Sequence, residues 1–208
     1  MKTQVQAVPS RRRFDVDEYH VMVRAGILIE GDRVELIEGE IVEMHAIGSR
    51  HLACVIRLNR LLVQGLAELA AVSIQSSVRL DRYSEPEPDV VVLRPRSDDY
   101  AAALPGPPDA LLVIEVADTS LAYDRTVKLR LYAEAGVPEV WIVDLAAAAV
   151  EVHRQPSGEG YRHIERITEG RLAPAAFPDL ELELIEILPP ALESAADDQG
   201  RARPCPRR

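Results

Sequence analysis

Pro88-Asp89-Val90-Val91-Val92-Leu93 and Ala110-Leu111-Leu112-Val113-Ile114-Glu115-Val116 are the two stretches whose reading decides the fold. Both are short, continuous runs of Val, Ile and Leu, the pattern of strands buried on both faces. They are the predicted central strands. Each carries one acid where an apolar run favours none: Asp89 opens the first and Glu115 interrupts the second. A carboxylate in such a place is costly unless it is paired, protonated or bound to a cation. If the strands are neighbours, the two carboxylates converge, and their repulsion favours a Mg²⁺ ion, which takes oxygen ligands and keeps several waters. That is the layout of metal-assisted phosphodiester hydrolysis. The alternative is that both acids lie at strand ends, merely solvated or salt-bridged.

Working outward toward the N-terminus, Ala71 to Leu80 reads as a further strand. Before it, Leu52, Val55, Ile56, Leu58, Leu62, Leu66 and Leu69 recur at helical spacing, which predicts a long amphipathic helix from Ser49 to about Ala70, laid across the sheet. Arg33-Val-Glu-Leu-Ile and Glu40-Ile-Val-Glu-Met, joined at Glu38-Gly39, predict a hairpin. Asp15 followed by Glu18 is a capping box, so a helix runs from Asp15 to Ala25 and stops at Gly26.

In the other direction, Ser97 to Pro108 is a Pro- and Asp-rich surface connection. Leu121 to Ala135 reads as one helix closed by Gly136 and Pro138. Glu139 to Asp144 is another strand, followed by a hairpin through Val150 to His153 and Tyr161 to Ile167. The expected class is α/β, a central mixed sheet flanked by helices. One domain is expected at 14–188, between a flexible N-terminus at 1–13 and a disordered tail at 189–208.

Composition narrows the function classes. With 208 residues, 47% hydrophobic and 28% charged, the chain reads as a soluble globular protein. Its formal charge of -10 disfavours a tight, non-specific nucleic-acid binder, although carboxylates around an ion account for part of that surplus. Cys54 and Cys205 have no ligand-like spacing, so neither a zinc site nor a disulfide framework is indicated. There is no secretory signal and no apolar run long enough to span a bilayer, so the expected location is the cytoplasm. No Walker-type phosphate loop or dinucleotide fingerprint is present.

Other side chains are candidates with a plainer reading beside the functional one. Asp124 and Lys128, four apart on a helix, read first as a surface ion pair; the alternative turns Lys128 into the cleft, where its ammonium steadies charge on a phosphate. Glu35 is a third acid for the metal or a solvated strand residue, with Glu40 a weaker substitute. His51 reads as structural or exposed more readily than as catalytic. Arg57, Arg60, Arg79, Arg82, Arg125 and Arg130 are the basic residues expected to frame a cleft, though each is equally read as a solvated charge.

Five strings taken in order close the reading: Arg33-Val-Glu-Leu-Ile-Glu-Gly-Glu, Glu87-Pro-Asp-Val-Val, Leu112-Val-Ile-Glu-Val, Tyr123-Asp-Arg-Thr-Val-Lys-Leu and Tyr132-Ala-Glu-Ala-Gly-Val-Pro-Glu-Val-Trp-Ile-Val-Asp. Together they resemble the Uma-type family of endonucleases within the PD-(D/E)XK superfamily, from about Phe14 to Leu188. The resemblance implies a restriction-endonuclease-like core and a Mg²⁺-dependent phosphodiesterase, with Mn²⁺ able to substitute. It implies Asp89, Glu115 and Glu35 as metal ligands and Lys128 as the catalytic lysine. DNA is the implied substrate and a homodimer the expected assembly. The superfamily's usual lysine position, two residues after the second acid, is Ala117 here, so Lys128 must supply that charge from the helix. Asp118 stands where the family usually has Ser-Pro and reads as a helix cap or an extra ligand. A catalytically silent binding or assembly module and an RNA-directed phosphoesterase are the competing functional readings.

Overall fold

The computed structural model describes residues 11–29 and 31–190. Residues 1–10 of the expected flexible N-terminus, and the expected disordered tail from 191 onward with Cys205, lie outside the described residues. Helix α1 (Val16–Arg24) begins as predicted. Asp15 accepts from the Glu18 N–H at 2.9 Å, Glu18 accepts from the Asp15 N–H at 3.2 Å, and Gly26 follows at φ +71°. Strands β1 (Val34–Ile37) and β2 (Glu40–Glu43) form the hairpin. Its turn requires Gly39, which sits at φ +81° with the position of a Cβ only 2.6 Å from the Arg13 Cβ.

The main sheet has six strands in sequence order: β3 (Ala71–Ile74), β4 (Val90–Leu93), β5 (Ala110–Ala117), β6 (Glu139–Asp144), β7 (Ala149–Ser157) and β8 (Gly160–Ile167). Only β5 and β6 pair in parallel. A parallel pair needs a crossover, and the helical segment between Leu121 and Ala135 supplies it. Beyond the sheet, β9 (Arg171–Leu172) pairs with β10 (Leu182–Glu183), ahead of a short helix α5 (Leu184–Ile187).

Alternation along the central strands builds a core on each side of the sheet. Val90, Val92, Leu112, Ile114, Val116 and Trp141 pack with α2 (Ser49–Leu66). Val91, Leu93, Val113, Ala117, Val140 and Ile142 pack with Leu131, Tyr132 and Ala133 of the crossover. Each fully buried Val, Leu or Ile contributes roughly 1.5–3 kcal/mol relative to exposure. No described helix is long and apolar enough to cross a membrane.

Three expectations change. On α2 the buried stripe is Cys54, Val55, Leu58, Leu62 and Leu66, whereas Leu52 and Ile56, and Leu69 just beyond the helix, are exposed, because one helix face can meet the sheet. The strand predicted to Leu80 stops at Ile74. Gln75 takes φ +45°, its N–H goes to the Asp89 carbonyl at 3.1 Å, and the Val78 and Leu80 N–H groups bond to the Pro86 and Ser84 carbonyls. The helix read over 121–135 is three pieces: α3 (Leu121–Tyr123), a π-turn (Asp124–Lys128) and α4 (Leu129–Ala135), closed by Gly136 at φ +81°.

Candidate active site

The pairing of β4 with β5 sets Val90 opposite Ile114. One step further places Asp89 opposite Glu115, and residues directly opposite in an antiparallel pair share a face. Asp89 is fixed at both oxygens. Oδ2 accepts from the Val116 N–H at 2.8 Å, and Oδ1 lies 3.0 Å from the His51 Nε2 and 3.5 Å from the Gln75 Nε2. The Gln75 turn that ends β3 is thus part of the frame around Asp89.

Lys128 comes to the same place from the crossover. It is 5% exposed and its Nζ lies 3.0 Å from Glu35 Oε2 and 3.3 Å from Glu115 Oε1. The wide turn delivers it: the Leu129 N–H reaches back to the Asp124 carbonyl, five residues away, and both Asp124 and Lys128 end up buried. Glu35 arrives on β1, on the same side as Ile37, which packs in the core shared with Leu131 and Tyr132. Its Oε2 also accepts from the Glu87 N–H at 3.2 Å. Tyr132, on α4, donates to Glu115 Oε1 at 2.6 Å, and the Ser120 hydroxyl donates to Asp124 Oδ2 at 2.5 Å.

Glu35, His51, Asp89, Glu115, Ser120, Asp124 and Lys128 line a cavity of about 160 Å³ beneath the hairpin and the start of α2, with Tyr132 and Gln75 behind its wall. Seven carboxyl side chains face it, those of Glu35, Glu43, Glu87, Asp89, Glu115, Asp118 and Asp124, against two formal cations, Arg33 and Lys128. The imbalance is felt by the buried groups. Burial pushes the Glu115 carboxyl up to about 8; Lys128 opposes this, while Asp124 and Asp89 add to it. Burial also raises Asp124 and Glu87. Burial works against the charge on Lys128, but Glu115, Glu35 and Asp124 outweigh it, and its pKa is raised. Tyr123, which also lines the cavity, is pushed up to about 12 by burial and then by the charge of Glu35, so it stays a neutral hydroxyl.

Residues 16–185 match the Uma2 family, described as "Putative restriction endonuclease". The chain belongs to that family. Membership in Uma2 supports a nuclease-like function. Among solved structures, the fold is similar to one titled as a putative nuclease belonging to DUF820 from Anabaena variabilis ATCC 29413. The two superpose with a TM-score of 0.66 at 17% identity, over 84% of this chain and 97% of that one, a likeness of fold. No curated protein sequence matches the chain.

Asp89, Glu115, Glu35 and Lys128 all line the one cavity, whereas Glu40 is exposed and pairs with Arg11 at 3.2 Å. Reading Asp124 and Lys128 as a surface pair is overturned by their burial. His51 is neither exposed nor remote, since it bonds to Asp89. Asp118 is not the cap of α3: the N-cap is Ser120, without a side-chain cap bond, and Asp118 stands at the cavity wall with its Oδ2 3.2 Å from where a Cβ on Gly48 would lie. None of the six arginines expected to frame the cleft lines the cavity. Arg79 and Arg82 pair with Asp17 and Asp15, Arg125 with Glu151, and Arg130 with Glu38 and Glu134. Sequence reasoning missed Tyr132, Gln75 and Arg33; only the position of Tyr132, four residues after Lys128 and therefore one turn along, carried a signal.

The donor set is oxygen-rich and short of positive charge, which fits a hard divalent cation. Among the described residues, no three His, Cys, Asp or Glu side chains lie together so as to hold an ion. Instead, the Lys128 ammonium stands between Glu35 and Glu115.

Proposed function

We propose that this chain is a Mg²⁺-dependent endonuclease that hydrolyses phosphodiester bonds of DNA, with Mn²⁺ able to substitute. The observation that carries the reading is the convergence of Asp89, Glu115 and Lys128 on one cavity from β4, β5 and the crossover. Asp89 and Glu115, supported by Glu35, would hold the ion, which when bound would activate water and stabilise charge on the phosphate. The chain's own groups prepare that place. His51 and the Val116 N–H hold Asp89 in one orientation, and Tyr132 does the same for Glu115. Lys128 contacts two acids at once, so it can release Glu115 to a cation while Glu35 keeps it anchored. Its ammonium then offsets negative charge developing on a phosphoryl oxygen. The domain proposed for this work is 14–188, acting in the cytoplasm as a homodimer, since cutting both strands of a duplex suits a two-fold assembly.

The test compares the purified full-length protein with Asp89→Ala on plasmid, with and without Mg²⁺. Cleavage by the wild type only with the ion, and loss of cleavage in the variant, are expected. Equal cleavage by both proteins assigns the activity to a contaminant and ends the proposal.

A second reading is a nuclease fold that now serves as a binding or assembly module. It is favoured by Lys128 already pairing with Glu35 and Glu115, and by the formal charge of -10. Calorimetric titration with Mg²⁺ or Mn²⁺ separates the two, because a protein that takes up neither ion has no hydrolytic centre of the kind proposed. A panel of DNA, RNA and small nucleotides decides among phosphoesterase substrates.

A further inference from the structure

Two tyrosines reach this site from the crossover, nine residues apart, and they differ in one respect. The Tyr132 hydroxyl donates to Glu115. The Tyr123 hydroxyl, the oxygen of a residue lining the same cavity, is buried and has no hydrogen-bond partner. An unmade hydrogen bond at a buried hydroxyl is destabilising, and a phenylalanine would avoid that cost. Buried polar groups left over in a native fold call for an explanation, and a ligand that completes the bond is one.

One oxygen of each buried acid around it is already engaged. Glu35 Oε2 accepts from Lys128 and from the Glu87 N–H, Glu115 Oε1 from Tyr132 and Lys128, and Asp124 Oδ2 from Ser120. No acceptor among the described residues reaches the Tyr123 hydroxyl, so the partner that suits it is one brought in from outside. Water held by a cation turns its hydrogens outward and seeks acceptors, which the carboxylates provide. An anionic oxygen needs donors, and these are scarce in a cavity lined by seven carboxyl side chains. A phenol is a neutral donor that adds no negative charge of its own.

We infer that Tyr123 is a substrate-contacting residue, its hydroxyl donating a hydrogen bond to a non-bridging oxygen of the phosphodiester. The inference rests on the phosphodiesterase reading above. It names a catalytic donor beyond the acids and the lysine. Because the hydrogen is given to an oxygen that gains charge as water attacks, the contact strengthens along the reaction.

The test is Tyr123→Phe in the full-length protein, measured four ways: single-turnover cleavage of a short duplex with Mn²⁺, Mn²⁺ affinity by calorimetry, Tm, and cleavage of the two phosphorothioate diastereomers at one scissile position. A fall in cleavage rate of roughly a hundredfold is expected, with Mn²⁺ affinity unchanged and Tm equal to the wild type or higher. The wild type should discriminate between the two sulfur-substituted diastereomers, and the variant should lose part of that discrimination. A cleavage rate within twofold of the wild type overturns the inference, as does unchanged diastereomer discrimination or a joint fall in Tm and Mn²⁺ affinity. If the wild type itself neither binds Mn²⁺ nor cleaves, the phosphodiesterase reading has failed and this inference with it. A wild type that does both beside an equally active Tyr123→Phe shows the tyrosine assignment alone to be wrong.

Discussion

Glu115 and Glu139 lie on adjacent strands of one sheet, 3% and 1% exposed, yet they live in different chemistry. Glu139 accepts from the Trp141 indole at 2.8 Å, the Arg154 guanidinium at 2.8 Å and the Ala175 N–H at 2.6 Å. One buried anion meets one cation and two neutral donors. Glu115 shares a single ammonium with Glu35, feels Asp89 and Asp124 nearby, and is pushed up to about 8. Burial alone therefore does not mark a functional carboxylate. What sets Glu115, the acid proposed to act, apart from Glu139 is burial in a place where the surrounding side chains leave negative charge uncompensated.

Three substitutions can break that contrast. Glu139→Ala should have the largest effect on stability, about 3–5 kcal/mol by urea unfolding, because it strands Arg154 and two N–H donors. Cleavage per folded molecule should be unchanged; a stable variant, or one that has lost activity while folded, would erase the distinction between the two glutamates. Lys128→Met should cost roughly 2–3 kcal/mol, less than Glu139→Ala because proton uptake by Glu115 absorbs part of the loss. Added Mn²⁺ should then raise the Tm of this variant more than that of the wild type, since ligand binding to the folded state stabilises it. An equal rise would mean that the ammonium does not stand in for a cation.

Glu115→Gln should have the opposite sign. The ordinary carboxyl value is 4.5 and the folded one about 8, so the fold disfavours the charged form. The penalty is absent below the first value and grows as pH rises toward the second. Glutamine removes it, and Glu35 keeps Lys128 paired. The variant should be more stable than the wild type near pH 8 and converge with it near pH 4.5, while losing cleavage. A destabilised Glu115→Gln at pH 8 would place Glu115 in the same class as Glu139.

Much of the frame could be read from the chain. The two apolar runs foretold the central strands, the Asp15–Glu18 box the start of α1, and Glu38-Gly39 the hairpin turn, because each rests on local chemistry. The meeting of Asp89 with Glu115 followed from two acids in neighbouring runs. The placement of Lys128 did not: spacing alone favoured a surface pair, and family resemblance pointed inward. A five-residue turn and a four-residue turn accept the same side chains, so Asp-Arg-Thr-Val-Lys reads as ordinary helix until the carbonyl of Asp124 is seen to bond Leu129. Contacts made across long separations, His51 to Asp89 and Tyr132 to Glu115, depend on packing that no local pattern encodes. The arginines misled for the same reason, since Arg57, Arg79, Arg82, Arg125 and Arg130 each found an acid or carbonyl elsewhere on the fold.

That widened turn has a consequence for how the protein can change over time. An ordinary helix locks the angular phase of every residue to its neighbours, at roughly 100° per step. Here the phase is reset between Tyr123 and Leu129, so the segment that faces the cavity and the segment wedged against the sheet are geared separately. Mutation can re-aim one without unseating the other, and a single-residue deletion between them would mesh the gears and swing Lys128 out of register with Glu35 and Glu115.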